Sequence, residues 1–117
     1  MTGAIDEQIY REMEEYGSQG WAIIDNLVPD KMFDGIAAAC RRVKAKVRAG
    51  EVDVYTHYGD PGEPWCIRGL IAPDFAEPVF ADFLLHAPFV ERARAYLGQD
   101  LRLGWIDLRI NTHNEDL

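Results

Sequence analysis

His113 and Glu115, one residue apart in the run Arg109-Ile-Asn-Thr-His-Asn-Glu-Asp-Leu117, have the spacing of a two-point metal chelate. Side chains repeat direction every two residues in an extended chain, so a strand here would aim both at one ion. A facial iron site needs two histidines and a carboxylate, with positions left open for oxygen and substrate. No histidine follows His113. Asn111, Thr112, Asn114 and Asp116 favour turns over an extended segment, which makes the pair a weak metal candidate. The remaining histidines are His57 and His86. His57 falls in a long stretch rich in glycine, proline and aromatic residues, and Arg68 comes just after it. Such loops often line ligand sites. The plainer readings are a surface histidine at 57, a structural ion pair at 68 and a helix-end histidine at 86.

Other chemistries are absent from the pattern. The chain has no GxGxxG, GxxxxGK, GxSxG or HExxH motif. Cys40 and Cys66 lie outside any CxxC spacing, and no histidine stands at a telling distance from either. Both are expected to be buried free thiols of a reducing, cytoplasmic compartment, since the N-terminus shows neither a basic nor an apolar leader segment. No apolar run approaches the roughly 20 residues of a membrane span. A net charge of −8 argues against nucleic acid as partner, because that affinity rests largely on Lys and Arg against phosphates. A small anionic substrate stays open, since one arginine can hold a carboxylate on an acidic surface.

The elements that must position these residues follow from hydrophobic spacing, and 117 residues suit one domain. Ile5, Ile9, Met13 and Tyr16 make one helical stripe and predict a helix over 5–16, closed by Gly17-Ser-Gln-Gly20. Trp21-Ala-Ile-Ile-Asp25 predicts a short strand. Asp30 caps a second helix over 30–49, whose stripe is Phe33, Ile36, Cys40, Val43 and Val47 and which Gly50 ends. Arg41, Arg42, Lys44, Lys46 and Arg48 crowd its second half. Cations there offset the helix dipole, and the alternative is attraction of an anion. Glu51 to Pro64 reads as loop, with two prolines and two glycines in its last six residues. A strand is predicted over 65–71. Helices follow over 78–85 and 88–97, the latter burying Phe89, Val90, Ala93 and Leu97. A last strand spans 101–110, with a bulge near Gly104-Trp105 where the apolar parity switches. The fold class is α+β, and its thin sheet has open edges that invite pairing.

The order of these phrases resembles one family. Gly20-Trp-Ala-Ile-Ile-Asp-Asn-Leu-Val-Pro29, the amphipathic helix after it and Trp65-Cys-Ile-Arg-Gly-Leu70 are similar to the N-terminal part of the phytanoyl-CoA dioxygenase family. So is Phe89 to Asp100, with Ala-Tyr-Leu-Gly98 before a strand ending in Ile110-Asn111. The resemblance spans nearly the whole chain from Tyr16.

It implies a non-haem Fe(II)/2-oxoglutarate-dependent oxygenase with a double-stranded β-helix, or jelly-roll, that hydroxylates a small organic or acyl substrate. The family's iron ligands are a His-x-Asp pair and a distant histidine, and an arginine near the latter holds the 2-oxoglutarate carboxylate. This chain departs there: it contains no His-x-Asp, and His113-Asn-Glu115 is expected to precede the true pair, the alternative being a variant of it. The resemblance therefore implies the N-terminal helical layer and first strands of such an enzyme, truncated before its catalytic half and inactive alone. In it Arg109 and Asn111 would line the cofactor pocket, and His57 and Arg68 would touch substrate. The competing expectation is a small interaction domain that docks a partner, or a second copy, through an open sheet edge.

Overall fold

A computed structural model describes residues 3–53, 55–59 and 62–111, with residues 3–6 described in backbone only. The fold is α+β and divides into two compact units. Among the described residues, the first comprises 3–29 and 84–102, and the second comprises 30–83 and 103–111.

In the first unit, helix α1 (Gly3–Gln19) packs against helix α4 (Ala87–Leu97). The stop of α1 comes three residues later than the sequence predicts. A helical glycine costs only about 1 kcal/mol, so Gly17 does not break the helix. The break waits for Gly20, which adopts φ +85° while its N–H donates to the Tyr16 carbonyl at 2.8 Å. Ile9 is buried on this helix, whereas Met13 and Tyr16 are exposed. Leu97 is also exposed, although the helical stripe placed it inside.

Trp21–Asp25 is not a strand. Exposure alternates along it as a strand's would, with Trp21 and Ile23 outward, but the backbone forms no ladder with any described residue. Alternation reports a two-sided environment, and a strand also needs a hydrogen-bonding neighbour.

The second unit holds the apolar core. Helix α2 (Asp30–Arg48) buries Ala39, Val43 and Val47 on one stripe. Its C-terminus closes with paired hydrogen bonds: Gly50 N–H to the Val47 carbonyl and Glu51 N–H to the Lys46 carbonyl, both at 3.0 Å. This arrangement requires a left-handed residue, supplied by Gly50 at φ +73°. Phe33, at the head of the predicted stripe, is exposed instead.

A three-stranded antiparallel sheet runs in the order β1 (Thr56–Tyr58), β2 (Pro64–Arg68), β3 (Asp107–Arg109). The register pairs His57 with Cys66 and Cys66 with Arg109, then Arg68 with Asp107. Strand β1 corrects the expectation that 51–64 is all loop: its β-branched and aromatic residues pair with β2 through a bulge at His57/Tyr58. The last strand is three residues long, not ten, and Leu103 and Trp105 are exposed ahead of it.

Ile67 and Leu108, on the inner face of the sheet, join Phe75 from a 3-10 turn (Pro73–Phe75) and Phe80 from helix α3 (Val79–Leu84) in the core with α2. Each such side chain taken out of water contributes about 1.5–3 kcal/mol. Lys46 Nζ donates to the Phe75 carbonyl at 2.6 Å, and Arg42 forms two hydrogen bonds with Glu77, at 2.6 and 2.7 Å. The basic half of α2 is thus largely engaged in fastening its own unit. No helix among the described residues is long and apolar enough to cross a membrane.

A candidate anion-binding sheet face

The sheet register gathers residues that are distant in sequence. Cys66 and Arg68 lie two apart on β2 and share one face, and their partners Arg109 and Asp107 share it with them. The outcome is a row of charges. Asp107 Oδ2 lies 3.9 Å from Arg68 Nε on one side and 4.0 Å from Arg109 Nη2 on the other. Both separations exceed hydrogen-bonding distance. Arg68 Nε and Asp107 Oδ1 are buried, and neither has a hydrogen-bond partner among the described residues.

Indoles flank the row. The Arg68 guanidinium lies 5.8 Å from the Trp105 ring, and that of Arg109 lies 5.8 Å from the Trp65 ring. Such contacts hold the planar cations against aromatic faces without using up their N–H donors. Tyr55 meets Trp105 edge-on at 5.7 Å, and His57 tilts against Trp65 at the same distance. Trp105 is 58% exposed, Trp65 39% and Tyr55 67%, so this face is open and not a closed pocket.

Two guanidiniums against one carboxylate leave the row net positive within an acidic chain. Electrostatically the row suits an anion, and its donors have the fork geometry that binds carboxylates. His57, Arg68 and Arg109 are therefore brought onto one sheet. Asn111 lies exposed two residues beyond the end of β3. His113 and Glu115 lie outside the described residues. Asp107, Trp65 and Trp105 escaped the sequence reading. Arg68 and Asp107 are far apart along the chain and meet only through strand register, which local spacing does not encode.

The described side chains do not fit an iron ion. No group of three or more His, Cys, Asp and Glu among the described residues could hold a metal. His57 packs on Trp65 beside arginines that would repel a cation, while His86 uses Nε2 against the Leu27 carbonyl at 2.9 Å. Cys40 and Cys66 are free thiols. Cys66 is fully buried, and burial pushes the Cys40 thiol above its ordinary value, against the pull of Arg41. The raised Cys40 thiol is the opposite of an activated nucleophile.

The first unit has a cleft and a buried ion pair of its own. A cleft of 670 Å³ is lined by Ile9, Tyr10, Met13, Glu91, Arg94 and Ala95, and it gathers no catalytic constellation. Beside it, Arg92 Nε donates to Glu12 Oε1 at 3.0 Å, with both side chains more than nine-tenths buried. Arg92 also donates to the Pro88 carbonyl, and the Tyr96 hydroxyl reaches Glu12 at 3.3 Å. Burial, reinforced by the Glu12 charge, raises the Tyr96 pKa. The network ties α1 to α4 through Glu12, Arg92 and Tyr96. Compared with family models, curated proteins and solved structures, the chain matches none.

Proposed function

We propose that the chain is the N-terminal part of a non-haem Fe(II)/2-oxoglutarate-dependent oxygenase acting on a small organic or acyl substrate. In this reading the sheet becomes part of a jelly-roll and supplies carboxylate-binding arginines. The observation that carries it is the convergence of Arg68 and Arg109 on one open sheet face, with His57 beside them. Two guanidiniums at about 4 Å from a shared carboxylate keep spare donors for an incoming acid. The iron ligands are assigned to none of the described residues, and this reading expects the chain alone to be inactive as an oxygenase. Two free cysteines agree with a cytoplasmic setting.

Calorimetric titration of 2-oxoglutarate into the chain tests this reading. Saturable binding that weakens with salt is expected, because exposed charges are screened. Adding Fe(II) should produce no metal-to-ligand charge-transfer band. Absence of 2-oxoglutarate binding would sink the cofactor role of the arginines, and a strong band would overturn the inactivity.

A second reading, an interaction domain that docks through its sheet, draws on the strand order: β1 and β3 are both edges among the described strands. Light scattering across a concentration series checks it. A strictly monomeric chain removes self-association through those edges.

A further inference from the structure

Helices α1 and α4 hold each other through one face and leave another unpartnered among the described residues. Glu12 of α1 takes Arg92 and Tyr96 of α4 as its partners inside the unit. Ile9, Tyr10 and Met13 of α1 and Glu91, Arg94 and Ala95 of α4 line the 670 Å³ cleft instead. Tyr10 is 68% exposed and Met13 also lies open, while Leu97, three residues beyond Arg94, is 74% exposed. Aromatic and methionine side chains open to water beside a concave apolar floor, with charges among them, have the composition of a protein interface.

The charges specify which partner fits. Glu91 is half-buried and Arg94 exposed, and neither side chain closes an ion pair or a hydrogen bond among the described residues. Three residues apart, they stand on one side of α4, separated by about 4.5 Å along its axis. A twofold axis perpendicular to α4 and midway between them sets each Glu91 opposite the Arg94 of the other copy. One residue pair then supplies two ion pairs. Such self-complementarity suits an isologous contact, in which the same patch serves both subunits. Opposite charges across an interface also fix its register and reject other alignments. We infer that the chain pairs with a second copy through this face, α4 antiparallel to α4, with Tyr10 and Met13 of each copy packing over the cleft of the other. The sheet edges take no part in this contact, and it does not depend on the oxygenase reading.

Sedimentation equilibrium and native mass spectrometry of the chain and its charge variants test it. The parent should dimerise reversibly between about 1 μM and 1 mM. Glu91→Arg alone and Arg94→Glu alone should each weaken self-association about tenfold or more, because each sets like charges opposite one another. An equimolar mixture of those two variants should recover the affinity as a heterodimer, in which every facing pair is again opposite in sign. The exchanged double variant, Glu91→Arg with Arg94→Glu, should recover it as a homodimer. A parent that stays monomeric at about 1 mM overturns the inference and leaves the cleft to another occupant. So does a dimer that neither single reversal weakens, which moves the contact to the sheet edges or another surface. Failure of the mixture to restore what the single variants lost also overturns it. Should either single variant fail to fold, the double variant decides.

Discussion

Arg68 and Asp107 face each other directly across the β2–β3 ladder, yet Nε and Oδ2 stand 3.9 Å apart and form no hydrogen bond. An ion pair built for stability closes to contact, as Arg42 does on Glu77 at 2.6 Å. A pair held open between two indoles has the form of a receptor.

Its stability should therefore be nearly indifferent to its loss. Part-exposed pairs contribute about 0–1 kcal/mol, so Arg68→Gln should change unfolding free energy by no more than about 1 kcal/mol. Asp107→Asn should be neutral or slightly stabilising, because it removes a charge with an unmet buried oxygen. Urea denaturation checks both; a loss of several kcal/mol in either variant would make the pair a structural brace.

Glu12 and Arg92 should behave oppositely. Removing Arg92 strands a buried carboxylate, so Arg92→Met should cost about 3–5 kcal/mol. Adding Glu12→Leu to that variant should recover part of the loss, since a matched apolar pair leaves no uncompensated charge. A double-mutant cycle by thermal or urea unfolding reads the coupling directly. Additive effects would mean that the two groups do not act as a pair.

Acid should unfasten the second unit through Glu77. The Arg42 hydrogen bond, with help from the Arg42 and Lys46 charges, holds the Glu77 carboxyl below its ordinary pKa in spite of burial. A group whose pKa is depressed on folding stabilises the fold above its unfolded value, and that contribution fades as pH falls through the folded one. Stability should drop below about pH 4.5 in the parent chain, and Glu77→Gln should flatten that part of the profile. A profile unchanged by the substitution would assign the acid sensitivity to other carboxylates.

The core makes a simpler prediction. Phe75 is fully buried at the centre of the α2–sheet cluster, and Phe75→Ala should cost about 3–5 kcal/mol. Phe33→Ala, by contrast, should fall within about 0.5 kcal/mol, because Phe33 is 61% exposed despite its place on the helical stripe. Equal losses at the two positions would mean that Phe33 is covered in solution.

The contrast between Phe33 and Phe75 shows where sequence reading succeeds and where it stops. Helix α2 was legible because Val43 and Val47 repeat at helical spacing and Gly50 ends the run. The helix at 87–97 was legible from Pro88 and Gly98. Strands were harder: Trp21–Asp25 has the composition without a partner, whereas Thr56–Tyr58 has a partner in β2 but sits among loop residues. The site was half visible. Arg68, Arg109 and His57 stood out as ionisable residues, but Asp107 acquires meaning only when register sets it between two arginines. Likewise Glu12 and Arg92 are 80 residues apart and meet only in the folded chain.

The most direct test of the central claim, that Arg68 and Arg109 form an anion-binding face, is a nitrogen-15 NMR titration of 2-oxoglutarate that follows the arginine Nε–H signals. The account predicts saturable shifts of the Arg68 and Arg109 signals, with the Arg92 signal unmoved in its buried pair, and loss of the Arg68 response in Arg109→Gln. Shifts confined to other arginines, such as Arg94 in the α1–α4 cleft, or no saturable shift at all, would contradict it.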